Sequence, residues 1–126
     1  PEAALAGLWL WFGGWDHAHS IAQEIRTVEG SYWHAIVHRQ EPDAWNTGYW
    51  FRRVPSHPIF PALAAAARDL GESFAGHGLA IKQAWDPIVF VDYCESQTGG
   101  GSGEEFAKAV QEAEWWLLFG WCALDR

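Results

Sequence analysis

The residues best able to do chemistry lie between positions 31 and 53. In "SYWHAIVHRQEPD" (31–43), His34 and His38 stand four apart, and Arg39, Glu41 and Asp43 follow within five positions. Residues at i and i+4 share a helix face, so the two imidazoles can hold one metal ion or flank one ligand. The spacing lacks the Glu of HExxH, which removes the zinc-protease reading. A metal site would need a third ligand from elsewhere, with His17 on the preceding helix, Glu41, Asp43 and His57 as candidates. Nitrogen ligands with a carboxylate would suit a divalent transition metal. With only two ligands in hand, however, a metal is not favoured over histidines bonded to carboxylates or carbonyls at the edge of a core.

The next stretch is the more telling. Asp43, Asn46, Trp50 and Arg53 fall at i, i+3, i+7 and i+10, one helix face, with Trp45, Tyr49 and Arg52 beside them. Carboxylate, amide and guanidinium among large aromatics are costly to bury without partners. They are also what a largely apolar pocket with a few convergent polar groups requires. The plainer alternative is an Arg–Asp network between two helices, with the tryptophans simply packing.

These residues need elements to position them, and the punctuation is helical almost throughout. Residues 2–12 carry Leu5, Leu8, Trp9 and Phe12 at helical spacing, ended by Gly13-Gly14. Asp16 is placed to cap a second helix with the stripe Ala18, Ile21, Ala22 and Ile25. Ser31 is placed to cap a third, which stops near Gln40 because Pro42 disfavours a helical Glu41. Pro42 suits the first turn of a fourth helix to about Val54, broken by Pro55. "PIFPALAAAARDL" gives a fifth, closed by Gly71. Residues 72–85, with "GHG" around His77, read as loop. Asp86-Pro87 opens a short helix to about Ser96, and "GGGSG" (99–103) is a flexible connection. Ser102 and Glu105 form a capping box for a last helix to about Ala123. Its second half is apolar all round, which predicts the most buried helix. No period-2 strand pattern survives. The expectation is an all-α, single-domain bundle of about six to seven helices over 1–126.

Composition narrows the function classes. The 126 residues are 49% hydrophobic and 19% charged, which suits one globular domain rather than a disordered chain. Ten tryptophans are expected mostly in the core or a pocket wall. A net charge of −8 argues against nucleic acid as partner. Residues 26–53 nevertheless hold Arg26, Arg39, Arg52 and Arg53 against Glu29, Glu41 and Asp43, the place to look for an anionic ligand. No stretch reaches the roughly 18 apolar residues of a membrane span, so no membrane is expected and a cytoplasmic location is inferred. Cys94 and Cys122 have no CxxC and read as buried free thiols. "TGGGSG" (98–103) lacks the Lys-Ser/Thr of a phosphate loop, and no nucleotide or haem motif is present.

Residues 8–60 resemble a family of small, uncharacterised helical proteins. The resemblance rests on Asp16, His19, Ile21 and Gln23, then Gly30, Ser31, Trp33, His34, Ile36, His38, Arg39, Glu41 and Asp43. It continues through Tyr49 to Arg53 with His57 and Pro58, while Pro55 stands where the pattern has Gly. It implies a small helical domain and carries no activity. It also places His19, rather than His17, at the motif position, on the same face as Gln23 and Arg26.

The reading that follows is a site between the second, third and fourth helices for a small polar or anionic ligand. His34 or His38 would act as general base, oriented by Glu41 or Asp43. His19, Gln23, Arg39, Asn46, Tyr49, Trp50, Arg53 and His57 would bind the ligand. Two alternatives stand beside it: a non-enzymatic protein-interaction module, and a metal-dependent hydrolase using His34 and His38 with His19 as third ligand.

Overall fold

Glycine, proline and short polar side chains divide the described chain, residues 2–124 of a computed structural model, into seven helices with no strand among them. They are α1 (Glu2–Trp11), α2 (Trp15–Glu24), α3 (Val28–Gln40), α4 (Ala44–Phe51), α5 (Phe60–Gly71), α6 (Pro87–Ser96) and α7 (Ser102–Ala123). None is long and apolar enough to cross a membrane. The described residues group into two compact units. The first takes the chain through Pro55 together with the residues from Leu118 on, and the second takes Ser56–Leu117.

In the first unit α1 packs on α2 and α3, α2 on α3, and α3 on α4. Gly13, at φ +79°, turns the chain out of α1, and the Gly14 N–H donates to the Trp9 carbonyl at 2.7 Å. Residues 32–37 of α3 are buried without a break, so α3 is the axis of this unit. Tyr32, Trp33, Ile36, Val37, Phe51, Val54 and Leu118 make its core. Gly7 lets α1 close on that axis, since a Cβ there would lie 2.6 Å from the Trp33 ring.

In the second unit α5 buries Phe60, Leu63, Ala64 and Ala67, α6 buries Phe90, Val91 and Tyr93, and α7 buries Phe106, Val110 and Trp115. The 72–86 segment is held by named bonds. The Tyr93 hydroxyl donates to the His77 carbonyl, the His77 ring stacks on Phe106 at 4.0 Å, and Arg68 donates to the Lys82 carbonyl at 3.1 Å.

Several local expectations need correction. Helix α3 begins at Val28, with Thr27 at the N-cap, so Ser31 lies inside it. Helix α2 starts after Gly14 without a side-chain cap, and Asp16 sits within its first turn. Asp43, not Pro42, opens α4: its carboxylate accepts from the Asn46 N–H. That helix ends at Phe51, which leaves Arg52 and Arg53 in the following turn. At α7 the carboxylate reaching back is that of Glu104, which accepts from the Gly100 N–H at 3.3 Å.

Burial departs further from expectation. Trp9, Trp11, Trp15, Trp45 and Trp116 are exposed, Trp45 by 74%. Hydropathy cannot tell an inward indole from an outward one when helical phase is its only guide. The second half of α7 is likewise not buried all round. It buries Trp115, Leu118 and Cys122 but leaves Trp116 57% exposed. Cys94 and Cys122 are both free, and burial pushes the Cys122 thiol up to about 11.

Candidate functional site

Helices α2 and α3 run antiparallel, and their register is pinned at both ends. At one end the Trp15 indole N–H donates to the Gln40 side-chain oxygen at 2.9 Å. At the other, Gly30 admits the backbone, where any Cβ would collide with the Ala22 and Ile25 carbonyl oxygens. Between these two points His19 of α2 comes opposite His34 and His38 of α3. Ring centroids are 4.3 Å apart for His19–His34, 5.5 Å for His19–His38 and 5.0 Å for His34–His38. One nitrogen from each ring lies within 4.8 Å of the other two.

Two of the three rings, those of His34 and His38, are held toward the uncharged form. Burial, then the adjacent His19 and His38, lowers the His34 pKa to about 4. Burial also lowers that of His38, although Glu41 and Asp43 pull the other way. The Nδ1 of His34 is buried with no hydrogen-bond partner. The Nδ1 of His38 stands 3.3 Å from Glu41 Oε1 and 3.8 Å from Asp43 Oδ2, close enough for an ion pair but not aligned for a hydrogen bond. Of the two carboxylates, Asp43 is already engaged. It accepts from both the backbone and the side-chain amide of Asn46, and the side-chain bond is the main reason its pKa falls. Glu41 is the freer one to orient His38.

Helix α4 closes one side. The Trp50 indole lies flat against His34, 3.9 Å between centroids and 15° between planes. Tyr49 meets Trp50 edge-on at 5.2 Å, and the Arg53 guanidinium sits 5.4 Å from the Trp50 ring centre. Arg53 therefore reaches the cluster through Trp50 rather than directly.

Other expected members go elsewhere. Gln23 is exposed with no hydrogen bond to the cluster. Arg39 is buried with its guanidinium over Phe51 at 5.5 Å, a core position rather than a site position. His57 belongs to the second unit, where its Nδ1 accepts the Ile59 N–H before α5. His17 is exposed and stacks on Trp9 at 4.2 Å, apart from the cluster. The Trp15–Gln40 bond is absent from the sequence reading, and no local signal announces it, because the partners are 25 residues apart.

Chemically, the arrangement can present three imidazoles to one electrophile. Nitrogens bound to one zinc-like ion at 2.0–2.1 Å stand about 3.4 Å apart, so modest rotamer shifts would close the cluster on a metal. No family model, curated protein or solved structure matches the chain.

Proposed function

We propose that the chain binds one divalent transition metal through His19, His34 and His38 and uses it to hydrolyse a small polar or anionic ligand. The observation that carries the proposal is the convergence of three imidazole nitrogens within 4.8 Å in a setting that keeps two of them unprotonated. A metal needs the neutral imidazole, and protein ligands that hold protons weakly compete less against it. Held by His19, His34 and His38 as neutral ligands, such an ion would keep its full charge and would supply an activated water near neutral pH. The pairing of His38 with Glu41 matches the carboxylate–histidine support found behind metal ligands. Asn46, Tyr49, Trp50 and Arg53 are the residues proposed to receive the ligand beside the ion, and catalysis without metal by His34 and His38 is the variant that the same test separates.

The test uses chain purified without a histidine tag. Elemental analysis should find one bound Zn(II), Co(II) or Ni(II) per chain after equilibration, and Co(II) should give visible bands of a tetrahedral site. His19→Ala, His34→Ala and His38→Ala should each remove them. Sub-stoichiometric metal in the native chain would sink the proposal. Esterase or phosphatase turnover that survives chelation would return the role of base to His34 or His38.

A second reading, a non-enzymatic interaction module, is favoured by one feature. Leu5, Leu8, Trp9 and Phe12 form an exposed apolar stripe on and just after α1, with Phe12 80% exposed.

A further inference from the structure

Helix α1 is apolar on both of its faces. Ala6, Gly7 and Leu10 are buried in the first unit, while Leu5, Leu8 and Trp9, with Phe12 just beyond, are exposed. A helix that is apolar all round is ordinarily covered all round. No charged residue occurs from Ala3 to Trp15, although the chain carries a net −8. The outer face is also shaped. The Phe12 N–H donates to the Leu8 carbonyl at 3.3 Å, so Phe12 keeps the helical register, and it stands 80% exposed as a knob. Leu5, Leu8 and Trp9, with Phe12 at one end, line a shallow cleft of about 270 Å³. An apolar cavity of about 150 Å³ holds benzene, so this cleft has room for a phenyl ring. Its wall is set in advance, because the Trp9 ring is stacked on His17 at 4.2 Å and 15° from parallel.

We propose that α1 pairs with α1 of a second copy, antiparallel across a two-fold axis, with Phe12 of each seated in the Leu5–Leu8–Trp9 cleft of the other. The stripe is symmetric about the point between Leu8 and Trp9, where the axis passes. Phe12 then meets Leu5 of the second copy and Leu8 meets its Trp9, each contact made twice, as a self-complementary interface requires. Charge favours this occupant. Two chains of −8 repel each other, and this stripe lets them meet with no charge between them. Glu2, the one acid of α1, lies about 20 Å along the pair from its counterpart at 1.5 Å rise per residue, beyond the screening length of about 8 Å at physiological salt. A lipid surface fits less well, since no Lys or Arg precedes Arg26 to meet anionic headgroups. The pairing uses no residue of the histidine cluster, and it holds whether or not the chain is an enzyme.

The experiment is sedimentation velocity of the untagged chain over a wide range of concentrations, with and without added Zn(II). The mass should rise from the 14.2 kDa of one chain to twice that, with no larger species and with the same result in both conditions. Added salt should tighten the dimer by screening the repulsion between the two acidic chains. Phe12→Glu and Leu5→Glu should each weaken it at least about tenfold. Trp45→Glu, at an equally prominent indole on α4, should leave it unchanged. A mass of 14.2 kDa at every concentration would overturn the proposal, as would a dimer seen only with Zn(II), weakened by salt, untouched by Phe12→Glu or lost equally with Trp45→Glu. Flotation of the chain with phosphatidylcholine vesicles, lost in Phe12→Glu, would also overturn it, by giving the face to lipid. The concentration and salt responses of the native chain decide the matter even where a variant does not fold.

Discussion

His34 and Trp50 lie face to face, 3.9 Å apart and 15° from parallel, so an indole shields one whole side of the most deeply buried histidine in the cluster. That shield helps keep His34 dry and uncharged, and it fixes the ring plane in place of a hydrogen bond. Trp50→Ala should therefore raise the His34 pKa from about 4 toward the ordinary value near 6.5. It should also lower stability by about 1–2 kcal/mol through the lost stack and buried area. Two-dimensional NMR of the imidazole resonances against pH reads the first effect, and urea unfolding the second. An unmoved His34 titration would show that Trp50 does not control its environment.

The same histidine predicts how the metal-free chain responds to acid. In the native chain His34 takes up its proton at about 4, against about 6.5 when unfolded. Between those values the unfolded chain holds more protons, so stability rises with pH across the window. The contribution is fully present above about pH 6.5 and is lost as pH falls toward and through about 4. Its size is on the order of 3 kcal/mol. Unfolding free energies from urea melts at pH 4, 5, 6 and 7 should show this slope, and His34→Gln should flatten it.

On the metal proposal Glu41 becomes a positioning residue for His38. It is exposed and its removal leaves the core intact, so Glu41→Gln should change the melting temperature little. Under the metal proposal it should weaken Zn(II) or Co(II) binding by roughly 10–100-fold, the usual cost of losing such support. Competition with a chromogenic chelator measures this directly. Equal affinities for the variant and the native chain would remove Glu41 from the site.

Gly30 controls the register that brings His19 to α3. A methyl group there must push against the Ala22 and Ile25 carbonyls, and backbone cannot yield as a flexible side chain can. Gly30→Ala should cost about 1–3 kcal/mol, with a matching fall in metal affinity as the histidines move apart. Ser31→Ala, one position on and only half-buried, serves as the control and should cost much less.

The parts of this structure legible in the sequence are the local ones. Gly13-Gly14, Pro42, Gly71 and Asp86-Pro87 mark helix limits through backbone preferences that act within a few residues, and the helices end close to them. His34 and His38 share a face for the same reason, through the helical repeat alone. What brings His19 to them is not local. It depends on the α2–α3 register, set by a close approach at Gly30 and by a Trp15–Gln40 bond across 25 residues. The positions of the tryptophans were poorly legible because an indole is stable inside or at the surface. Trp115 and Trp116 are adjacent, yet one is buried and the other exposed. Arg39 shows the same limit in a charged residue, since its position over Phe51 follows from α3 being buried on nearly every side.

Helix α7 carries a consequence for the order of synthesis. Its residues from Leu118 on belong to the first unit, and Leu118 and Cys122 are buried there. The first unit is thus written in two pieces, with residues 56–117 read out between them. As the chain leaves the ribosome, α1 to α4 emerge with the histidines already encoded but with the wall around Trp33 still missing. Domains generally fold as complete units during synthesis, so the histidine-bearing half must wait for a segment made after residues 56–117, while the second unit has all its parts earlier. A nascent chain stalled before Leu118 would hold three histidines and no finished frame to set them.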